Sequence, residues 1–332
     1  MYAIRQAQPQ HQMNFSTDDL LALTLPDGGT RFRKASIGES FAFCKQIATE
    51  HYENFPVGSL LIPRDLQPHF YSIYAFSRLA DDIADELHND DEIRKFAALD
   101  ALEQLLLHPD DVQGNPILTA LHETMRTKAI PALPFQKLLT AFRMDSAFRQ
   151  AQTFEDLEHY CKYSANPVGE LVLRLFGLYT PERVPLSDAV CTGLQLANFW
   201  QDFSRDLPIG RVFIPQNILA ECGLESAELL ALYAGGIQKP DEEALKLVKE
   251  RFFHAFTLLF HKTKLYFALG KGLLPSVPHT RLRAELALTI AGGERVLAKA
   301  YRKQHHILAH RVSISTFDVP TLLARSIRLF IG

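Results

Sequence analysis

The sequence predicts an all-α protein. From Ser36 onward, apolar residues recur three and four positions apart almost without interruption, which is the spacing of amphipathic helices. No segment is rich in strand signals, no internal repeat is present, and no glycine-rich nucleotide-binding motif occurs. Residues 1–35 lack the helical periodicity, except that Leu20 to Leu25 suits a short helix. We therefore expect a flexible leader over 1–35 and a single helical domain over 36–332.

Composition excludes several classes of protein. The 332 residues are 47% hydrophobic and carry a net charge of −3, which provides a large core but no nucleic-acid-binding charge pattern. The 4 cysteines are isolated from one another, as in proteins of a reducing compartment. No apolar run reaches membrane-spanning length, and no basic start leads into an apolar secretory signal. We expect a cytoplasmic protein that does not bind nucleic acid.

The helix predicted over 68–87 carries a first acidic row. Four side chains at spacings of four, three and four share one of its faces: Tyr74, Arg78, Asp81 and Asp85. Carboxylates one helical turn apart suit Mg²⁺, and the arginine can neutralise them or bind a phosphate. Asp82 and Glu86 turn further round the helix, and we expect them to be solvated, with assistance from Asp82 to the row as the alternative. Taken alone, the pattern is equally typical of a salt-bridged surface.

A second row follows in the stretch from Gln195 to Asp206. Oxygen-bearing side chains recur there every four residues, on what we expect to be one helix: Asn198, Asp202 and Asp206. Acids beside aromatic residues are costly unless a cation accompanies them. The alternative interpretation is a polar helix face with ordinary surface acids. Two such rows, each flanked by apolar helix, favour a shared site for magnesium and a diphosphate.

Two further segments accompany the rows. Pro167 interrupts a helical pattern and predicts a kink, since it removes a backbone N–H and frees the carbonyl of Tyr163. The kink is either purely structural or makes room for a ligand, which the small residue Gly169 would approach closely. The segment 207–215, marked by proline and glycine, lies directly beyond the second row. We expect it to form a flap over a bound substrate.

These motifs resemble those of a known family. Tyr74-x-x-x-Arg78-x-x-Asp81-Asp82-x-x-Asp85 and Gln195-Leu-x-Asn198-x-x-x-Asp202-x-x-x-Asp206 are similar to the two aspartate-rich motifs of squalene and phytoene synthases. Tyr160 to Gly169 resembles the third signature of this family, and His51 to Phe55 its first-helix segment. The resemblance covers about residues 36–311. It implies an isoprenoid-synthase helical bundle with a central apolar cavity.

The resemblance also implies roles for individual residues. Two or three Mg²⁺ ions and a diphosphate would be bound by Asp81, Asp85, Asn198, Asp202 and Asp206. Groups at the reacting centre would be Tyr74, Arg78, Tyr160 and Gln195. Other substrate contacts, including the prenyl tunnel and the phosphate, would come from His51, Phe55, Val168, Gly169 and Arg211, again with Arg78. No NADPH is expected.

Certain positions narrow the resemblance to one branch of the family. Gln201 stands where condensing members usually have arginine, Asn166-Pro167 where they usually have glycine, and Gly292-Gly293 where they often have tyrosine. Phrases such as Asn-Phe-Trp-Gln-Asp over 198–202 resemble the branch that forms hydroxysqualene in bacterial hopanoid synthesis. We therefore predict conversion of presqualene diphosphate to hydroxysqualene, with Gln201 and Asn166 holding the water that adds.

The sequence also allows two other functions. One is a condensing synthase that joins two prenyl diphosphates, and the other is a non-catalytic helical assembly protein of the same fold. The favoured function implies functional partnership with a presqualene diphosphate synthase and a squalene-forming reductase. It also gives an apolar C30 product. The tail over 322–330, with Arg325 and Arg328, is either an ordinary docked helix or a peripheral contact with the inner membrane surface.

Overall fold

The computed structural model describes residues 16–29, 35–50, 62–86, 92–232 and 242–331. Across these ranges the chain forms helices and no strand, which confirms the all-α prediction. No helix in the same ranges is long and apolar enough to cross a membrane.

The α-helices of the described residues are numbered in chain order. They are α1 (Thr17–Ala22), α2 (Ile37–Glu50), α3 (Gln67–Glu86), α4 (Glu92–Leu107), α5 (Pro116–Lys128), α6 (Leu133–Ser146), α7 (Phe154–Ser164), α8 (Asn166–Leu175), α9 (Val184–Gln201), α10 (Phe203–Asp206), α11 (Gln216–Glu221), α12 (Ser226–Ala231), α13 (Glu242–Gly270), α14 (Leu273–Ser276), α15 (Thr280–Arg302) and α16 (Val319–Ile331). Short 3₁₀ turns precede α5, α11 and α16, at Pro109–Asp111, Leu207–Ile209 and Thr316–Asp318.

The helices belong to two compact units. The first unit holds the described residues up to Ala147 together with Pro167–Thr180, and the second holds Phe148–Asn166 together with the described residues from Pro181 onward. The first unit therefore contains α1–α6 and nearly all of α8, while the second contains α7 and α9–α16. The prediction of a single domain over 36–332 stays a prediction.

In the first unit, α3 is the central helix and packs against α2, α5 and α6. It buries Phe76, Leu79 and Ile83 on one side, each at 1% exposure or less. The ring of Phe76 meets the ring of Phe135 edge-on, with centroids 5.4 Å apart. Because these apolar residues fix the rotation of α3, the four residues of the first acidic row lie together on its opposite side.

Part of the expected leader belongs to the core of the first unit. Leu20 in α1 and Leu23 directly after it are 1% and 0% exposed. The fully buried Asn115 donates from Nδ2 to the carbonyls of Leu23 and Leu25, at 2.8 and 3.1 Å. Its Oδ1 accepts from two amides and thereby caps the N-terminus of α5. Two leucines and one asparagine therefore anchor this segment to the first unit, while the prediction of a leader over 1–35 stays a prediction.

In the second unit, α9 packs against α7, α13 and α15. Trp200 is fully buried, and its indole N–H donates to Oγ1 of Thr263 at 2.8 Å. The close approach of α15 to α9 depends on Gly293. A Cβ at this position would lie 2.6 Å from a methyl carbon of Leu194 and 2.7 Å from the ring of Phe267. Tight helix packing therefore explains the glycine at this position.

The anchoring of the leader can be tested with Asn115→Ala. The variant removes an N-cap and leaves buried carbonyls without their donor, so we expect the free energy of unfolding to fall by about 2–4 kcal/mol. Limited proteolysis should also cleave the chain before residue 30 more readily. Asn217→Ala on the exposed surface is the control and should change neither result. Unchanged stability of Asn115→Ala in urea denaturation would contradict the assignment.

Candidate active site

The first acidic row lies on α3, as predicted. The adjacent Asp82, however, forms an ion pair with Arg78 of that row. An NH2 nitrogen of Arg78 lies 2.5 Å from Oδ1 of Asp82, whereas its NH1 nitrogen lies 4.0 Å from Oδ2 of Asp81. Asp82 is only 5% exposed, so the expectation that it is solvated is wrong. Burial alone would lower the pKa of Arg78, but Asp82 and then Asp81 outweigh burial and raise it. The arginine therefore stays charged beside the row.

Tyr74 lies one turn before Arg78 on the same side of α3. Burial raises the pKa of its hydroxyl to about 12, an effect that the charge of Arg78 only partly opposes. The hydroxyl is consequently protonated at neutral pH and able to donate a hydrogen bond. The structure thus presents two carboxylates, one cation and one neutral donor along a single helix face.

The second row does not lie on one continuous helix. α9 ends at Gln201, and α10 begins at Phe203. Asp202 between them has φ −103° and ψ 12°, so it is not helical, although its amide still donates to the carbonyl of Asn198 at 3.0 Å. Aspartate is a poor residue for a helix interior, and here its side chain is drawn into an ion pair. Asp202 and Asp206 are 4% and 5% exposed, which is unusual for carboxylates.

Arg311 forms the ion pair with Asp202, and the sequence analysis missed it. Its Nε donates to Oδ1 of Asp202, which is buried, and the Arg311 side chain is itself only 10% exposed. Arg311 follows α15 in a segment without helical periodicity, 109 residues after its partner. No local sequence signal could have identified it, because only the tertiary fold brings the two charges together.

The segment 311–318 is fastened to α15 by Asp318. The carboxylate of Asp318 accepts from Nζ of Lys299 at 2.6 Å and from Nε of Arg295 at 2.8 Å. It also accepts from the backbone N–H of Ser315 at 2.7 Å. These contacts, with that of Lys299 the strongest, hold the pKa of Asp318 well below its usual range. The loop that delivers Arg311 is therefore anchored by charge at its other end.

Gln201 contacts the same segment. Its side chain is buried, and Nε2 donates to the carbonyl of Val312 at 2.5 Å. The water-holding role predicted for Gln201 stays a prediction, and it would fall to Oε1 or to the second N–H of Nε2, since the first N–H donates to Val312. Asn166 is similarly engaged, since its Oδ1 accepts from Oγ1 of Thr192 at 3.0 Å.

The kink predicted at Pro167 is confirmed. α7 ends at Ser164 and α8 begins at Asn166, with the break at Ala165. Proline cannot donate the backbone hydrogen bond that would continue α7, which explains the break. Tyr160 on α7 lies with its ring centroid 5.8 Å from that of Phe199. On α8, Val168 is 37% exposed and Gly169 is buried.

The segment beyond Asp206 is packed more closely than the predicted flap. Gly210 adopts φ 78° and turns the chain, so that the N–H of Arg211 donates to the carbonyl of Asp206 at 2.9 Å. Phe213 then stacks on Phe199 with ring centroids 4.0 Å apart. This packing favours a fixed wall rather than a moving lid. The guanidinium of Arg211 lies 5.9 Å from the ring centroid of Phe148.

The side-chain amide of Gln195 is a buried hydrogen-bond donor. The side chain is 2% exposed, and its Nε2 has no hydrogen-bond partner in the part of the chain that the structure describes. A buried amide without a partner is rare and indicates a ligand or water at that atom. His51 and Phe55, which the resemblance assigned to substrate binding, lie outside the described residues.

The donor set of the rows fits magnesium. Each row offers carboxylate oxygens, which are the ligands that Mg²⁺ prefers, and the ion usually completes its shell with water and substrate phosphates. In the described residues no three or more His, Cys, Asp or Glu side chains form a ready metal cluster. The first row belongs to the first unit and the second row to the second unit, and the sharing of one diphosphate between them stays a prediction.

Comparison with known proteins defines the class. The family model for squalene/phytoene synthases matches residues 48–318, so the chain belongs to that family and is an enzyme of it. It is 30% identical to the hydroxysqualene synthase of Sinorhizobium fredii over 82% of this chain and 87% of the relative. It is 26% identical to the phytoene synthase of Mycobacterium tuberculosis over 84% and 87%.

A solved structure supports the same assignment. The squalene synthase HpnC from Alicyclobacillus acidocaldarius is 38% identical, with a TM-score of 0.71 over 81% of this chain and 95% of that protein. The fold is therefore that of the squalene synthases, and the isoprenoid-synthase architecture expected from the resemblance is confirmed.

The Arg311–Asp202 pair can be tested by its coupling. Removing one partner of a buried ion pair is strongly destabilising, so Arg311→Met should lower the free energy of unfolding by about 3–5 kcal/mol. The double variant Arg311→Met/Asp202→Asn should regain roughly half of that loss, because the buried charge is gone. Arg302→Met on the exposed surface is the control. Urea denaturation of Arg311→Met, Asp202→Asn and the double variant gives the comparison. If the loss of the double variant equals the sum of the two single losses, the two side chains are not coupled.

Proposed function

We propose that the protein converts presqualene diphosphate and water into hydroxysqualene, diphosphate and a proton. The C–O bond to diphosphate breaks, the cyclopropylcarbinyl cation rearranges, and water adds to the resulting cation with loss of a proton. The two acidic rows with their arginines support the handling of diphosphate. The named step is supported by relatives called hydroxysqualene synthase, at 30% identity in Sinorhizobium fredii and 32% in Rhodopseudomonas palustris. Partner enzymes would supply presqualene diphosphate and reduce the alcohol to squalene.

Magnesium fits this function through oxygen donors on both rows. The residues that would hold two or three ions are Asp81, Asp85, Asn198, Asp202 and Asp206. Bound there, Mg²⁺ would stabilise the negative charge that develops on the leaving diphosphate. No nucleotide cofactor is needed for this step, because water rather than hydride is added.

The side chains of the protein assist ionisation. Arg78 stays charged beside the first row and would share its charge with the diphosphate oxygens. The neutral hydroxyl of Tyr74 and the buried amide of Gln195 would donate hydrogen bonds at the reacting centre. Such donors are most effective where they are already oriented and shielded from water, as these buried groups are.

The carbocation requires an environment that does not trap it early. Aromatic faces stabilise a cation by about 0.5–2 kcal/mol each without reacting with it. Tyr160, whose ring lies beside that of Phe199, would contribute such a face. Asn166 and the side-chain amide of Gln201 would hold the one water that adds. Val168, Gly169 and Phe55 would shape the tunnel for the prenyl chains, with His51 and Arg211 as further substrate contacts.

The substrate separates this function from the alternatives. With Mg²⁺, presqualene diphosphate alone should give hydroxysqualene and inorganic diphosphate, while farnesyl diphosphate alone should stay unreacted. Asp85→Asn and Asp202→Asn should each lower the rate by about a hundredfold. Asp100→Asn, an exposed acid paired with Arg143, is the control. Consumption of farnesyl diphosphate would favour a condensing synthase, and no diphosphate release from either substrate would favour an assembly protein.

Water capture by Gln201 and Asn166 has its own test. Gln201→Ala and Asn166→Gly should shift the products from the alcohol to hydrocarbons formed by proton loss, because the added water is no longer held. Product ratios measured by gas chromatography and mass spectrometry report this shift independently of the rate. Gln216→Ala at an exposed position is the control. If both variants make only the alcohol at the normal rate, these residues do not hold the water.

A further inference from the structure

The C-terminal helix α16 buries only one of its sides. Leu322 and Ser326 are each 8% exposed and face α15. The guanidinium of Arg283 on α15 lies 4.6 Å from the ring centroid of Phe330. An NH2 nitrogen of Arg325 donates to Oε2 of Glu294 at 2.8 Å. These contacts hold α16 along α15 and fix which side points outward.

The outward side is apolar. Its large residues recur every four positions and are well exposed, at 45%, 51%, 56% and 78% for Val319, Leu323, Ile327 and Ile331. Residues four apart lie above one another on a helix, so these side chains form one continuous exposed row. Phe317, directly before the helix, is 91% exposed. Single exposed apolar residues are normal, but a continuous row indicates an interaction surface.

The charges of α16 indicate what this surface contacts. Between Val319 and Ile331 the charged residues are Arg325 and Arg328, and no acid is present. An apolar helix face bordered by arginines complements a bilayer that contains anionic lipids, since the apolar side chains enter the acyl boundary and the cations meet the headgroups. A second copy of the same face would instead bring arginines together without acids on the helix to pair with them.

We propose that α16 is a membrane-docking helix that lies flat in the interface of an anionic bilayer, with the exposed row inserted. The helix is far from being a membrane span, and docking leaves its inner side against α15. This surface is separate from the acidic rows, so docking does not depend on the proposed reaction.

Vesicle sedimentation of the full-length protein without substrate tests the proposal. The wild type should bind vesicles that contain phosphatidylglycerol, bind phosphatidylcholine vesicles more weakly, and lose the difference at high salt. The double variant Leu323→Ser/Ile327→Ser should lower the partition coefficient about a hundredfold, because each of its two substitutions removes one inserted side chain. Arg328→Ala should lower it about fivefold. Leu265→Ser/Leu269→Ser on α13 is the matched control, since these leucines are also exposed, at 70% and 55%.

The following results would overturn the proposal. The first concerns binding: either the wild type and the Leu323→Ser/Ile327→Ser variant bind vesicles equally, or the wild type does not bind them. The second is a fall in melting temperature of several degrees in that variant, which would show that the chain itself covers the row. The third is a wild-type dimer, seen by sedimentation velocity, that the variant converts to monomer without a change in vesicle binding. Activity on detergent-dispersed presqualene diphosphate should not change, which separates this test from that of the reaction.

Discussion

Buried carboxylates that need a cation are the constraint on which much of this structure depends. Moving a carboxylate out of water costs several kcal/mol unless an opposite charge and hydrogen bonds compensate. Asp82 meets this need through Arg78 on its own helix, at 2.5 Å. Asp202 meets it through Arg311 from a distant loop. Both acidic segments therefore pair a buried carboxylate with an arginine, a residue type that also binds phosphates.

The second pair has consequences for the rest of its unit. Arg311 reaches Asp202 only if the segment 311–318 is held in position, and Asp318 provides this through Lys299 and Arg295 of α15. Val312 in the same segment accepts from Gln201. The end of α9, the loop and α15 thus form one connected polar network. α16 follows directly from this loop, so the network also determines where the exposed apolar row points.

The irregular positions of the backbone coincide with the residues assigned to chemistry. The helix breaks at Asp202, in the middle of the second row, and at Ala165, beside Asn166. A regular helix forms hydrogen bonds between its own backbone N–H and C=O groups. We therefore expect a break in a helix where another interaction compensates for the lost hydrogen bonds. At Asp202 the gain is an ion pair with Arg311. At Ala165 the gain is a polar side chain placed against Thr192 on α9.

Much of the molecule was predictable from local patterns. The helical periodicity predicted the all-α fold, Pro167 predicted the kink, and the spacing of Arg78, Asp81 and Asp85 predicted one shared face. Each of these depends on backbone geometry within a few residues, which a sequence displays directly. The family followed from the same motifs, because the two acidic rows occur in a characteristic order and spacing.

By itself, then, the sequence determined which helices form and which polar residues share their faces. The tertiary structure alone decided the partners of particular residues: Arg311 for Asp202, Val312 for Gln201, and Asn115 for the carbonyls of Leu23 and Leu25. It also decided that Asp82 is buried and that Leu20 belongs to the core. The reason is physical, since burial and ion pairing depend on contacts between residues far apart in the chain, which helical spacing does not encode.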